Sequence, residues 1–190
     1  MARSPRKPPA VPTENALHEA ALAHLARYAS TRAGLLRVLD RKVARWGASE
    51  LGTTEGVADG RAAARRVAAR LVESGAVSDA AFAEARARSL HRAGKSSRAI
   101  GAHLATRGVA MGMATEAARQ EPAQELAAAL IHVRRRRLGA YRATAGTADD
   151  FRRALASLAR AGFAGAVAVQ ALRATREEAE ALITAFRSGL

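Results

Sequence analysis

The chain has 190 residues, with 31 Lys plus Arg against 17 Asp plus Glu, a net charge of +14, and no cysteine. The missing thiols exclude disulfides, thiolate metal sites and cysteine catalysis, and the longest apolar run falls far short of the ~20 residues that span a bilayer. The charge excess favours polyanion partners, among which nucleic acid is the commonest inside cells; a composition rich in Ala, Arg and Gly is the plainer source of the same excess.

Residues 1–14 hold Pro5, Pro8, Pro9 and Pro12 among Arg3, Arg6 and Lys7 and read as a disordered basic arm. No apolar stretch follows of the kind a secretory signal needs, which points to a cytoplasmic protein. Beyond the arm, apolar residues recur at three- and four-residue spacing without strand alternation, so the expected class is all-α, built from tandem three-helix modules. Module one, residues 15–76, opens with a helix over about 15–29 that buries Leu17, Leu25 and Tyr28. Its second helix, about 31–46, places Leu35, Leu36, Val38, Leu39, Val43 and Trp46 on one side. Arg37, Arg41 and Arg45 form an i, i+4, i+8 stripe opposite. Gly47, Gly52, Gly56 and Gly60 predict a flexible loop over 47–60, before a third helix, about 61–74, that buries Ala64, Val67, Ala68 and Leu71 and turns Arg66 and Arg70 outward.

Module two, residues 77–121, opens with Ser78 as N-cap and Asp79 placed to complement the helix dipole. Phe82, Ala83, Ser89, Leu90 and Ala93 share the predicted core face, and Gly94 ends the helix. Arg86 falls inside that arc and must snorkel outward or find a carboxylate. Helices over about 96–107 and 112–119 complete the module. Module three, residues 122–174, starts at Pro122 in a first-turn position and holds helices near 123–138, 147–160 and 165–173. In residues 175–190, Thr175 with Glu178 is a capping-box pattern. This last segment is a separate C-terminal helix carrying Leu182, Ile183 and Phe186, or a continuation of the preceding one.

The modules are tied together by a repeat. Arg98, Ala102, Leu104, Ala105 and Gly108 each recur 54 positions later, in RRALASLARAGF. A looser copy upstream sets Leu35, Leu39 and Val43 in the register of Ile100, Leu104 and Gly108. A long period carried by helix-spaced apolar residues marks a repeat architecture.

The opposite faces of those helices supply the candidate site. Arg37, Arg41, Arg45, Arg66, Arg70, Arg98, Arg152, Arg153 and Arg160 would line a positive track if presented in register, against the plainer reading of solvated helix faces. In the run 134–137, Arg135 and Arg136 face away from the core while Arg134 and Arg137 lie at its margins, either paired with Asp149 and Asp150 or in contact with phosphate. Trp46 is read as a packing residue. His18, His24, His91, His103 and His132 are read as helix-surface residues without metal-ligand spacing, and no phosphate-binding loop with its lysine is present. No catalytic residue, cofactor or metal site is expected.

The segment SDAAFAEARARSLHRAGKSSRAIGAHLATRGV, residues 78–109, resembles the most distinctive stretch of the RecX family of regulatory proteins. ALAHLARYASTRAGLLRVLDRKVAR resembles that family's opening module. RRRRLGAYR followed by LASLARAGF resembles the third module of alphaproteobacterial-type members. The resemblance covers roughly residues 16–172. It implies three three-helix modules in an elongated, curved molecule that docks in the groove of the RecA filament on single-stranded DNA; a monomer without a membrane partner is the separate expectation. It further implies inhibition of strand exchange, ATP hydrolysis and co-protease activity, in DNA repair and the SOS response, with double-stranded DNA a second candidate partner. Two readings compete with it: a nucleic-acid-binding protein that needs no recombinase, and a purely protein-binding helical adaptor. The long module-one loop and the proline-rich arm depart from the family pattern.

Overall fold

The computed structural model describes residues 10–189. Residues 1–9, which hold most of the expected basic arm, and Leu190 lie outside the described residues. The described part is all-α, with ten α-helices, one short 3-10 helix and no strand, and it divides into two compact units between Phe82 and Ala83. No helix in it is long and apolar enough to cross a membrane.

The first unit contains α1 (Glu14–Leu25), α2 (Arg32–Gly47) and α3 (Thr54–Glu73). Thr13, Thr31 and Thr53 cap the three N-termini, each accepting a hydrogen bond from a backbone N–H of the first turn; such caps stabilise a helix by about 1 kcal/mol each. The core closes around Leu17, Leu35, Leu39, Val43, Val67 and Leu71, so the predicted apolar faces of α2 and α3 hold. Four expectations change. Tyr28 lies beyond the end of α1 and is 61% exposed, and Leu25 is half-buried at the core's edge. Pro12, expected in the disordered arm, is buried against the site of Gly60. The predicted flexible loop over 47–60 shrinks to residues 48–53, because α3 starts at Thr54 and runs through Gly56 and Gly60.

These glycines serve packing. A Cβ on Gly56 would come within 2.5 Å of the Trp46 ring, and one on Gly60 would sit 3.0 Å from both Pro12 and Val43. Spaced four apart, the two glycines share one face of α3 and let it approach α2 closely enough to bury Trp46. The looser third copy of the repeat therefore lacks a terminating glycine for a reason: Val43 stands at that register, is fully buried, and the helix continues one more turn.

Helix α4 (Asp79–Arg92) crosses the division between the units. Ser78 caps it, as expected, by accepting from the Ala81 N–H. Its buried line is Ala83, Ala87 and His91, rotated from the predicted face: Ser89 and Ala93 are exposed, and Phe82 and Leu90 only half-buried.

In the second unit, α5 (Ser97–Thr106) and α6 (Met111–Ala117) follow α4, and α7 (Pro122–Arg135), α8 (Ala148–Arg160), α9 (Gly165–Arg173) and α10 (Arg176–Ser188) complete the fold. The 54-residue repeat is visible in the backbone. Gly108 and Gly162 both adopt positive φ, at 92° and 90°, in equivalent C-terminal motifs. The Val109 N–H reaches the Leu104 carbonyl at 3.2 Å as the Phe163 N–H reaches Leu158 at 3.1 Å. Leu104 and Leu158 are fully buried, and Val109 and Phe163 nearly so. The glycine turns each chain segment so that the residue after it plugs the core.

Carboxylates reinforce two helix starts. In the first unit Asp79 accepts from the Arg32 N–H at 2.7 Å. In the second, Glu125 of α7 accepts from the Ser97 N–H at 3.0 Å and the Ser97 hydroxyl at 2.7 Å. Each carboxylate comes from the first turn of a later helix and satisfies an N–H that the helix itself leaves unpaired.

The α7–α8 connection is longer than that between α4 and α5 and contains the 3-10 helix Gly139–Tyr141. Glu180 of α10 holds it, accepting from Tyr141 Oη and Arg134 at 2.8 Å each. Burial and that bond push the Tyr141 phenol up to about 12. The α10 helix is a separate element started by the Thr175–Glu178 capping box, and its Ala179, Ile183 and Phe186 complete the core of α7, α8 and α9.

Candidate nucleic-acid interface

The predicted arginines divide by what their charge already meets. Arg66 and Arg70 are exposed, as expected of α3, yet both bind Glu14 of α1, at 2.9 and 2.6 Å. The Arg66 hydrogen bond is the main reason the Glu14 carboxyl sits below its ordinary range. Arg152 pairs with Asp149 and Arg153 with Asp150, the latter at 3.8 Å. Asp150 also caps α8 and binds Arg142 at 3.0 Å. The expected pairing of Arg134 and Arg137 with Asp149 and Asp150 does not form. Arg134 turns to Glu180 instead, and Arg137 has left the helix with φ at 53°. Such exposed pairs add little stability, but they lower the charge these residues offer to a ligand.

Other arginines are exposed on helix faces or gathered in a cleft. Arg37, Arg41 and Arg45 form the predicted exposed stripe on α2, with the Arg37 Nε donating back to the Ala33 carbonyl. Arg98 is exposed on the first turn of α5. Arg135, Arg136 and Arg160 converge in the second unit, where they line a cleft of about 510 Å³ together with Lys95. Sequence reasoning missed Lys95. Its signal was present, since a cation directly after the helix-ending Gly94 belongs at a helix C-terminus.

The cleft is built from helix ends. Lys95 follows α4, Arg135 and Arg136 close α7, and Arg160 closes α8. Three helix C-termini thus direct partial negative charge at the cations, each such contact being worth about 0.3–1 kcal/mol. That allows four like charges to gather with no carboxylate among the lining residues. The floor is fixed: the fully buried Ser96 donates through its hydroxyl to the Ala161 carbonyl at 2.7 Å and accepts from the Ala99 N–H. Gly162 presses on the same hydroxyl so closely that a Cβ would meet it at 2.7 Å.

Two of the histidines expected on helix surfaces, His91 and His132, are buried instead. His132 forms one wall of the cleft, its ring edge-on to Phe163 with centroids 6.0 Å apart and its Nε2 3.3 Å from the Ser157 hydroxyl. Burial first, then the charges of Arg135, Arg136 and Lys95, push its pKa down. His103 answers the Arg86 question with an imidazole in place of a carboxylate: Arg86 Nε donates to His103 Nε2 at 3.1 Å. The bond requires a neutral ring protonated on Nδ1, consistent with burial and Arg86 lowering the His103 pKa. Trp46, read as packing, is buried. Among the described residues no group of three or more His, Asp or Glu side chains is arranged to hold a metal ion. The arrangement offers anion binding by guanidinium and ammonium groups.

Comparison with known proteins bears on the family. A family model described as RecX, second three-helix domain, matches residues 78–117, the α4–α6 segment. The chain is 37% identical over 172 residues to a protein named regulatory protein RecX from Myxococcus xanthus, covering 87% of this chain and 88% of the relative. It is 39% identical over 111 residues to a protein of the same name from Agrobacterium fabrum, covering 57% of this chain and 58% of the relative. No solved structure matches the chain significantly.

Proposed function

This chain belongs to the RecX family of regulatory proteins, and we propose that it regulates the RecA recombinase without chemistry of its own. In this reading it is a cytoplasmic monomer that binds the RecA filament on single-stranded DNA. There it inhibits strand exchange, ATP hydrolysis and co-protease activity, in DNA repair and the SOS response. The observation that carries the reading is the 37% identity to a regulatory protein RecX across nearly the whole of both chains. The exposed Arg41 and Arg45 of α2, the exposed Arg98 of α5 and the four-cation cleft supply surfaces for acidic protein or phosphate.

Charge reversal tests the reading. Arg41→Glu with Arg45→Glu alters two exposed residues opposite the α2 core face and leaves the fold intact. The expected result is weaker inhibition of RecA's DNA-dependent ATPase at unchanged melting temperature; full inhibition by the folded variant removes the α2 stripe from the interface. Arg152 and Arg153 are a second candidate pair, with a smaller expected effect because Asp149 and Asp150 already neutralise them. The carboxylate-free lining of the cleft favours one further reading, binding to bare nucleic acid without a recombinase. That version predicts steep salt dependence on bare DNA and no added affinity for the filament.

A further inference from the structure

We propose that Lys95, Arg135, Arg136 and Arg160 form a seat for the phosphodiester backbone of a nucleic-acid strand, and that filling it ties the α4–α5 turn to the C-termini of α7 and α8. The seat deepens the DNA half of the reading above, and rests on that reading only for the identity of the polyanion. Its four cations come from three separate helix ends, so nothing in the local sequence of any one helix explains their convergence. None of the four is in an ion pair with a carboxylate among the described residues, whereas Arg66, Arg70, Arg134, Arg142, Arg152 and Arg153 each are. Arg41, Arg45 and Arg98 share that state on open helix faces, whereas these four gather in one cleft.

The remaining lining suits an anion: it holds the Ser96 and Ser157 hydroxyls and the small residues Gly94, Ala99 and Ala161, and no carboxylate. Guanidinium groups present paired donors that fit phosphate oxygens. Like charges gathered without a ligand repel one another, and the helix C-termini offset only part of that repulsion. An anion in the cleft relieves the rest, so binding and stiffening of this junction are the same event seen from two sides. His132 reports on it. Its neutral state owes part of its stability to Arg135, Arg136 and Lys95; phosphate oxygens beside them reverse that field and move its titration upward.

The test uses the full chain, a single-stranded thymidine oligonucleotide, the same oligonucleotide with an uncharged methylphosphonate backbone, a polyglutamate peptide and inorganic phosphate. The two variants are Arg136→Gln with Arg160→Gln, and Lys95→Gln alone. Each lost contact to a single strand lowers the slope of log K against log salt by about 0.7. The double variant is therefore expected to lose about 1.4 in slope, bind roughly 10-fold more weakly at low salt, and melt at or above the wild-type temperature. Lys95→Gln, in an exposed turn, is expected to lose about half as much slope and keeps the test valid if the double variant fails to fold. The charged oligonucleotide moves the His132 ring titration upward; the neutral one does not bind.

Unchanged slope and affinity in folded variants overturn the proposal. So does polyglutamate matching the oligonucleotide's effect on His132, which would assign the cleft to an acidic protein. Inorganic phosphate that saturates the cleft without competing with the oligonucleotide overturns the strand assignment in favour of a small-anion site. Loss of RecA inhibition is a separate readout: variants that keep inhibiting RecA but lose oligonucleotide binding support the seat and free the regulatory reading from it. A wild-type chain that binds DNA through the cleft yet leaves RecA unaffected defeats the regulatory reading alone.

Discussion

Replacing Glu125 with alanine tests how one helix supports another in the second unit. The substitution removes the acceptor for the Ser97 N–H at 3.0 Å and the Ser97 hydroxyl at 2.7 Å, and leaves that N–H without its partner in a half-buried place. Hydrogen bonds to a charged group are worth about 1.5–3 kcal/mol, and a carboxylate at a helix N-terminus adds roughly 0.3–1 kcal/mol. Because both bonds share one carboxylate, they do not add fully, and Glu125→Ala is expected to destabilise the unit by about 3 kcal/mol. At about 2–4 °C per kcal/mol for chains of this size, the melting temperature falls by roughly 6–12 °C. Ser97→Ala removes only the hydroxyl bond and is expected to cost about 1 kcal/mol. Chemical denaturation followed by circular dichroism on both single variants and the double variant yields their coupling, expected near 1 kcal/mol. A loss below about 0.5 kcal/mol for Glu125→Ala, or no coupling, would refute the claim that this carboxylate anchors α5 to α7.

Three further outcomes follow from the geometry. Gly56→Ala places a methyl group within 2.5 Å of the Trp46 ring and is expected to destabilise the first unit by about 1–3 kcal/mol, with Trp46 fluorescence shifting to the red; an unchanged spectrum and melting temperature would mean that α2 and α3 are not in close contact there. His91, His103 and His132 all have folded-state pKa values below 6.5, with burial the first cause in each. Above 6.5 both folded and unfolded chains are neutral at these sites; as pH falls below it, the unfolded chain takes up protons first, so stability falls with pH until the folded-state values are passed. Melting temperature measured from mildly alkaline to mildly acidic buffer should show that decline, and His91→Gln should flatten part of it. Finally, Gly162→Ala imposes a positive φ of 90° on an alanine and drives its methyl group onto the Ser96 hydroxyl. It should cost more than the Gly75→Ala substitution, also at positive φ but in open space, as denaturation midpoints would reveal.

The sequence carried the helices well and their contacts unevenly. Apolar spacing placed Leu35, Leu39, Val43, Leu104 and Leu158 in the core, because large aliphatic side chains at helical period have few other places to go. It failed where small residues made the contact. Gly56 and Gly60 looked like a loop, since glycine disfavours helices locally and its use in close packing depends on a partner, Trp46, that only the fold supplies. On α4 the predicted face holds at Ala83 but not at Ser89 and Ala93, and Ala87 and His91 are buried where Phe82 is only half-buried. Among the candidate residues, exposure was legible and partnership was not. The Glu14 contacts of Arg66 and Arg70 join α1 to α3, and the meeting of Lys95 with Arg135, Arg136 and Arg160 joins three helix ends. Separations of that length leave no trace in local spacing.

Titration of RecA's ATPase on single-stranded DNA with the full chain, alongside the Arg41→Glu, Arg45→Glu variant, decides whether the chain regulates RecA. The account predicts progressive inhibition by the wild type at concentrations stoichiometric with RecA, and weaker inhibition by the folded variant. ATPase activity unchanged across the whole range, with strand exchange equally unaffected, would contradict it.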